Sequence, residues 1–282
     1  MKNYAAFRCI LTLILLSLYT SSSAQTTAET ARWHNEASDT ARIHQLLTDA
    51  AANGRSLNEL TVYIGKQFID TPYEGGTLEG EPEMLTVNLS GLDCTTFVET
   101  VAALTITVEE GRLSWQDFLY NLQQLRYRQG LVNGYASRLH YISDWIVDNS
   151  HRGHMREVTD RIPNSTSQIK TLDYMSSHRN AYPALADSAT FAQIKKSEVG
   201  YRSHRFPIVK AADIISKKAS PWLKEGDIIA FTTKTPGLDV SHVGFIVTLP
   251  GGQPGLLHAS SKGGKVMIDP LPLSEYMRKN HT

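Results

Sequence analysis

The chain has 282 residues, with 28 Lys and Arg against 28 Asp and Glu, so its formal net charge is zero. Hydrophobic residues make up 41% and charged residues 20%, which is ordinary for a soluble globular protein and excludes a disordered or coiled-coil chain. Because basic residues are not in excess, the charge does not indicate a nucleic-acid partner. The length is sufficient for a sizeable core in one large domain or two small ones.

Residues 1–24 have the pattern of a secretory signal peptide. Lys2 and Arg8 supply a positive start, residues 10–18 form an almost unbroken apolar run, and residues 22–24 are small, as signal peptidase requires. The apolar run is short for a membrane span, although an uncleaved N-terminal anchor is the alternative. We therefore expect an exported protein, in the periplasm, with no membrane contact after cleavage.

Helical periodicity dominates the first two-thirds of the mature chain, and strand alternation dominates the last third. Predicted helices occupy residues 37–51, 57–68, 94–109, 114–125, 139–147, 168–177 and 189–199. Predicted strands occupy residues 227–231, 243–249, 255–260 and 265–268, with a further short one at 86–89. Irregular segments are predicted at the polar residues 25–35 and the Gly- and Pro-rich residues 71–83. The pattern predicts an α+β fold, with one domain over residues 25–282 and a helical insert around residues 110–215.

Signal cleavage would remove Cys9 and leave Cys94 as the one cysteine of the mature chain. A single thiol cannot form an internal disulfide, so it is intermolecular, buried and inert, or reactive. Cys94 stands where a loop gives way to a predicted helix. The N–H groups at a helix N-terminus carry about half a positive charge, which is expected to lower the thiol pKa and to stabilise an oxyanion. This position favours a nucleophile.

Two histidines lie on neighbouring predicted strands. His242 begins one strand, and His258 lies within the next. Antiparallel neighbours can bring two such side chains together, so one imidazole could act as a base for the thiol while the other orients it. The alternative is that both are ordinary half-buried histidines with satisfied hydrogen bonds.

Five short motifs occur in the order that is typical of the NlpC/P60 superfamily of papain-like cysteine peptidases and amidases. They are Pro-Tyr-Glu-Gly-Gly at 72–76, Asp-Cys at 93–94, Gly-Asp-Ile-Ile at 226–229, Ser-His-Val-Gly at 241–244 and His-Ala at 258–259. The resemblance implies a papain-like fold in which a nucleophile helix packs on an antiparallel sheet. It also implies that Cys94 is the nucleophile, His242 the base and His258 the orienting residue.

Two longer segments resemble the DUF1460 branch of that superfamily, which is described as N-acetylmuramoyl-L-alanine amidase-like. They are Leu-Asp-Cys-Thr-Thr-Phe-Val-Glu-Thr at 92–100 and the run from 133 to 145. The implied activity is hydrolysis of the bond between (anhydro-)N-acetylmuramic acid and L-Ala in muropeptides. Two alternatives stay open: a γ-D-glutamyl-diamino acid endopeptidase, against which Thr95 in place of Ser argues mildly, and a non-catalytic cell-wall binding module.

Aromatic, planar and charged side chains near these motifs are candidates for binding the sugar and the peptide of a muropeptide. The candidates are Tyr73, Asp93, Thr95, Tyr135, Arg138, His140 and Tyr141. The alternative for residues 135–145 is an amphipathic helix with an apolar core face and surface ion pairs. No metal-binding spacing is present, so we expect no metal and no cofactor, and we expect a monomer that binds peptidoglycan fragments.

Overall fold

The computed structural model describes residues 31–52 and 54–280, and the predicted signal peptide lies outside them. The described chain mixes helices and sheets, so the predicted α+β class is confirmed. The papain-like assignment stays a prediction, as does the division into domains.

The helices of the described residues concentrate before residue 216. They are α1 Glu36–Ala51, α2 Leu57–Lys66, α3 Cys94–Glu109, α4 Trp115–Arg126, α5 Ile142–His151, α6 Tyr174–Ser177, α7 Ser188–Gly200, α8 Ala211–Ile215 and α9 Leu273–Asn280. Side-chain caps fix the first turns of three helices. The side chains of Asn35, Ser114 and Asp187 each accept one backbone N–H, in α1, α4 and α7 respectively. None of these helices combines the length and apolar character needed to cross a membrane.

The strands form one larger sheet and two small ones. The strands are β1 Arg32–Trp33, β2 Thr86–Val87, β3 Thr166–Ile169, β4 Arg205–Ile208, β5 Ile228–Thr232, β6 Val240–Thr248, β7 Pro254–Ser260 and β8 Lys265–Ile268. The order β5-β6-β7-β8 makes a four-stranded antiparallel meander, as the turn signals between these strands predict. β1 pairs with β2, and β3 pairs with β4.

The main core lies between the first four helices and one face of the meander. Phe97 of α3 stands at its centre and makes edge-to-face contacts with Phe68, which follows α2, and with Phe245 of β6. This aromatic row anchors α3 against the sheet, with Cys94 at the sheet end of the helix. The opposite face of the sheet carries a second core that includes Phe231, Leu256 and Tyr276.

A buried ion pair links α3 to α4, and a hydrogen bond of the same arginine links α4 to β2, which precedes α3 in the chain. The Arg126 Nε lies 2.6 Å from the Glu99 Oε2, and both side chains are almost fully buried. A second nitrogen of Arg126 donates to the carbonyl of Thr86 at 2.6 Å. Because a buried charge without its partner is strongly destabilising, this pair fixes the position of α3 along its length.

Several predicted elements differ from the structure. The helix predicted at 168–177 is wrong, because the first residues form β3 and only Tyr174–Ser177 is helical. The helix predicted at 139–147 begins instead at Ile142, and part of the loose lead-in at 25–35 forms β1. In β1 and β3 the strand is stabilised by a partner segment distant in the chain, which local periodicity does not indicate.

Candidate active site

Cys94 is the first residue of α3, and the helix is fixed there by a reciprocal cap. The Asp93 Oδ1 accepts the backbone N–H of Thr96 at 2.7 Å, and the Thr96 hydroxyl accepts the backbone N–H of Asp93 at 2.9 Å. This pattern satisfies N–H groups that the first turn leaves without intrahelical partners, and it orients the turn. The thiol is free of any disulfide and only partly buried.

The two predicted catalytic histidines contact each other. The Nε2 of His242 on β6 lies 2.6 Å from the Nδ1 of His258 on β7, and the two rings meet edge to face. Gly244 permits this approach, because a Cβ there would lie 2.8 Å from the Leu257 carbonyl oxygen and 3.0 Å from the His258 Cβ. The ring of His242 also stacks on Phe231, so its orientation is fixed from both sides.

The thiol lies beside the strand that carries the first histidine. The backbone N–H of Val243, the residue after His242, lies close enough to the Cys94 thiol to lower its pKa, and Thr95 acts on the sulfur in the same direction. The first turn of α3 therefore meets the start of β6. The nucleophile, the base and the orienting residue predicted from the sequence come from three elements, α3, β6 and β7, that converge at one place.

The thiol pKa differs from the sequence prediction. Burial raises the pKa of the Cys94 thiol, and the neighbouring Asp93 carboxylate raises it further, whereas the contacts from Val243 and Thr95 lower it. The predicted lowering by the helix terminus is therefore wrong in its net effect, because desolvation of the thiolate outweighs the N–H groups. A thiolate at this position needs a base that takes its proton.

His258 is held in its neutral form. Its side chain is almost fully buried, and burial lowers its pKa to about 4. At neutral pH it carries no charge, so it can exchange a single neutral hydrogen bond with His242. This state suits a residue that orients a neighbouring base.

Comparison with protein families adds a decisive observation to this geometry. The N-acetylmuramoyl-L-alanine amidase-like family matches residues 63–282, which include all three converging side chains. The chain belongs to this amidase-like family. No curated protein matches the chain.

Solved structures support membership of the amidase-like family. An N-acetylmuramoyl-L-alanine amidase from Bacteroides uniformis is 39% identical, with a TM-score of 0.74, and the match covers 79% of this chain and 94% of that one. A Bacteroides fragilis protein named provisionally as a xylanase is 42% identical, with a TM-score of 0.71, over 77% of this chain and 93% of that one. A Legionella pneumophila protein of family DUF1460 is 21% identical, with a TM-score of 0.67, and the match covers 86% of this chain and 90% of that one. This likeness shows the shared fold.

Three of the predicted substrate-binding residues of this amidase-like chain lie beside the thiol. Tyr73 is partly buried, and its pKa is raised by burial and by the charges of Cys94 and Asp93, which places its hydroxyl close to both. Its backbone pairs with Leu92 just before the cap of α3. Asp93 and Thr95 flank the sulfur, and the Asp93 carboxylate is committed to the helix cap.

Arg138 and Tyr135 lie in a buried cluster of the insert. The Arg138 guanidinium is 5% exposed, forms an ion pair with Glu79 at 2.8 Å, and lies 4.7 Å from the centre of the Tyr135 ring. His140 contacts the Tyr135 carbonyl oxygen through its Nε2 at 2.9 Å, and burial lowers its pKa to about 3. These contacts are structural, but they differ from the predicted amphipathic helix with surface ion pairs, because Tyr135 and Arg138 precede α5 and the Arg138 guanidinium is buried.

Tyr141 is also committed to the interior of the insert. Its hydroxyl donates to the Glu198 Oε1 at 2.7 Å and accepts the backbone N–H of Met175 at 2.9 Å. Both hydrogen bonds hold α5 against the segment that contains α6 and α7. For Tyr141, as for the other three insert residues, a role in substrate binding stays a prediction.

Two residues around His258 were not predicted from the sequence. Asp269 follows β8, and its Oδ2 lies 3.9 Å from the His258 Nε2. Tyr276 of α9 packs edge to face on the His258 ring at 5.8 Å, and burial raises its pKa to about 12, with smaller contributions from Asp269 and Cys94. The amphipathic spacing of Leu273, Tyr276 and Met277 was the available signal for α9.

A separate cavity of about 430 Å³ lies between the insert and the sheet. Its apolar walls include Ile146, Ile162, Phe206, Ile229 and Met277, and none of the three predicted catalytic residues lines it. Across residues 31–52 and 54–280, His, Cys, Asp and Glu side chains do not gather in a group of three that could hold a metal ion.

Proposed function

We propose that this protein is a cysteine amidase that hydrolyses the bond between the lactyl group of (anhydro-)N-acetylmuramic acid and L-Ala in muropeptides. Membership of the amidase-like family supports a cell-wall amidase, a hydrolase of amide bonds. The observation that carries the cysteine mechanism is the contact of the Cys94 thiol with Val243, next to the paired rings of His242 and His258.

In this mechanism the His242 Nε2 contacts the His258 Nδ1, and the His242 Nδ1 takes the proton of the thiol. The thiolate attacks the lactyl carbonyl carbon, and the backbone N–H of Cys94 at the helix start donates to the developing oxyanion. The protonated His242 then gives its proton to the nitrogen of the departing L-Ala. Water hydrolyses the resulting thioester and frees the sugar acid and the thiol.

The first alternative, a γ-D-glutamyl endopeptidase, would use the same thiol on a different bond. The second alternative, a non-catalytic binding module, would not require a thiol aligned with a histidine pair. A glycosidase needs two carboxyl groups on opposite sides of the scissile bond, about 5–10 Å apart. The carboxyl groups near Cys94 and the two histidines are instead engaged: that of Asp93 caps α3, and that of Asp269 accepts the Leu271 N–H and faces His258.

The test is a small panel of compounds with products identified by mass spectrometry. It comprises anhydromuramyl-tripeptide, the reducing-end muramyl-tripeptide, the free tripeptide L-Ala-γ-D-Glu-diaminopimelate and a xylo-oligosaccharide. We expect release of an intact tripeptide and a free amino sugar. Cleavage inside the peptide would support the endopeptidase, shortening of the xylan would support a glycosidase, and binding without turnover of any compound would support the binding module.

We also propose that the protein is exported to the periplasm and acts there as a monomer without a cofactor. The support is the signal-peptide pattern of residues 1–24 and a mechanism that the side chains around Cys94 can perform alone. N-terminal sequencing of the protein recovered from a periplasmic extract should begin at Gln25. An uncleaved N-terminus in the membrane fraction would contradict export as a free protein.

A further inference from the structure

The outer nitrogen of His258 is buried and faces a carboxylate. Its Nε2 makes no hydrogen bond within the described chain, and the residue is 2% exposed. The nearby group is the Asp269 Oδ2, at 3.9 Å. Asp269 is itself held in place, because its backbone N–H donates to the Leu256 carbonyl at 2.8 Å and its Oδ1 accepts the Leu271 N–H at 2.9 Å.

The 2.6 Å contact between the two imidazoles leaves two arrangements of protons. If His258 carries its proton on Nε2, its Nδ1 accepts from the His242 Nε2–H, and the His242 Nδ1 carries no proton and can accept one. If His258 carries its proton on Nδ1, the His242 Nε2 becomes the acceptor, and the His242 Nδ1 is protonated and cannot take a proton from a thiol. Only the first arrangement supports the proposed mechanism.

We propose that Asp269 is a positioning residue that selects the first arrangement by attracting the His258 Nε2–H. The inference rests on the proposed roles of Cys94 and His242. A carboxylate can only accept a hydrogen bond, so it favours a proton on the nitrogen that faces it. Asp269 orients His258, His258 orients His242, and His242 takes the proton of Cys94.

The same carboxylate acts again when charge develops. The S–H bond of Cys94 breaks, its proton moves to the His242 Nδ1, and the pair of rings then carries one positive charge. Asp269 stabilises that charge through His258, and the proton stays on the imidazoles. The separation of 3.9 Å shortens when the imidazolium forms, since catalytic hydrogen bonds commonly tighten only in the reacting complex.

The other groups that face His258 cannot replace the carboxylate. His242 approaches from β6 and is the residue being oriented, and Tyr276 approaches from α9 with its ring edge. The pKa of Tyr276 is raised to about 12, so its hydroxyl is neutral at pH 7. Cys94, on α3, is the group that loses the proton. Asp269 therefore supplies the full negative charge on the far side of His258.

Asp269→Asn is a specific test because the Asp269 Oδ1 accepts a hydrogen bond from the Leu271 N–H, which determines the side-chain atom that faces His258. The Asn carbonyl would keep that hydrogen bond, and its NH₂ group would take the place of Oδ2 and face the His258 Nε2. A donor there favours the wrong arrangement of protons. We expect ¹⁵N NMR of the imidazoles to show both rings changed from Nε2–H to Nδ1–H. We also expect iodoacetamide at pH 7 to alkylate Cys94 about 10–100-fold more slowly than in wild type.

Asp227→Asn is the matched control, because the Asp227 Oδ2 also accepts a backbone N–H, that of Lys224, in a turn of the same sheet. This variant should leave the imidazole spectrum and the alkylation rate unchanged. An unchanged His258 tautomer or an unchanged alkylation rate in Asp269→Asn would overturn the inference. If that variant fails to fold, the wild-type spectrum decides alone, because a His258 proton on Nδ1 contradicts the inference. Neither readout uses a muropeptide, so failure here is distinct from failure of the proposed substrate.

Discussion

At the scale of single residues, Asp93 has two opposed effects on the nucleophile. Its carboxylate caps α3 and so fixes the position of Cys94, yet its negative charge raises the thiol pKa. The carboxylate therefore fixes the position of Cys94 but disfavours its thiolate, and in the proposed mechanism His242 compensates by accepting the proton. The sequence indicated the helix start and predicted the nucleophile, but it indicated neither the cap by Asp93 nor the burial of the sulfur that sets the net direction of its pKa.

Replacing Asp93 by Asn separates these two effects. Asn retains an oxygen that can accept the Thr96 N–H, so α3 should keep its cap, while the charge beside the sulfur disappears. We expect the midpoint of the pH profile for alkylation of Cys94 by iodoacetamide to move to lower pH. Asp187→Asn, which changes the cap of α7 in the same way, is the control and should leave the profile unchanged. A midpoint that stays in place in Asp93→Asn would show that the carboxylate does not influence the thiol.

At the scale of elements, the hairpin of β6 and β7 brings the two histidines together. The sequence predicted these strands because each is bounded by its own turn residues, and their antiparallel order is confirmed. The contact between the two rings depends in addition on Gly244, whose role emerges only when the facing backbone is in place. The errors at β1 and β3 have the related cause that both strands pair with segments distant in the chain.

Gly244→Ala should separate the two strands at the site. The added methyl group would lie 2.8 Å from the Leu257 carbonyl oxygen, which is backbone and cannot rotate away. We expect a loss of about 1–3 kcal/mol in the free energy of unfolding and a fall in amidase kcat. Gly200→Ala is the control, because no atom lies within 4 Å of the added Cβ there. Urea unfolding and steady-state kinetics measure both effects, and a Gly244→Ala protein as stable and active as wild type would refute the account of this contact.

At the scale of the whole molecule, the insert shows the limit of inference from residue types. Tyr135, Arg138 and Tyr141 are typical of a sugar site, and they are equally typical of a buried ionic and hydrogen-bonded cluster. The partners that distinguish the two are distant in sequence: Glu79 is 59 residues from Arg138, and Glu198 is 57 residues from Tyr141. No local pattern connects such pairs, so the sequence predicted either a sugar site or a helix with surface ion pairs, and it did not indicate the buried cluster.

Burial of His140 in the insert makes the stability of the protein depend on pH. Its pKa is lowered to about 3 in the folded state, from 6.5 in the unfolded state, so below pH 6.5 the unfolded chain binds the additional proton. We compare the free energies of unfolding of wild type and His140→Gln. The value for wild type minus that for the variant should fall by up to about 1.4 kcal/mol for each unit that the pH is lowered from 6.5 to 4. Urea unfolding of both proteins across this range measures the difference. A difference that is constant with pH would contradict burial of a neutral imidazole.

The proposal that Cys94 attacks the sugar–peptide amide is tested by comparing wild type with Cys94→Ala on anhydromuramyl-tripeptide. Circular dichroism confirms that the variant is folded, and mass spectrometry identifies the products. We expect wild type to release the free anhydro-amino sugar and the intact tripeptide, and the variant to be slower by at least about a thousandfold. A Cys94→Ala protein that releases the same products at the wild-type rate, or a wild type that cuts only within the peptide, would contradict the account.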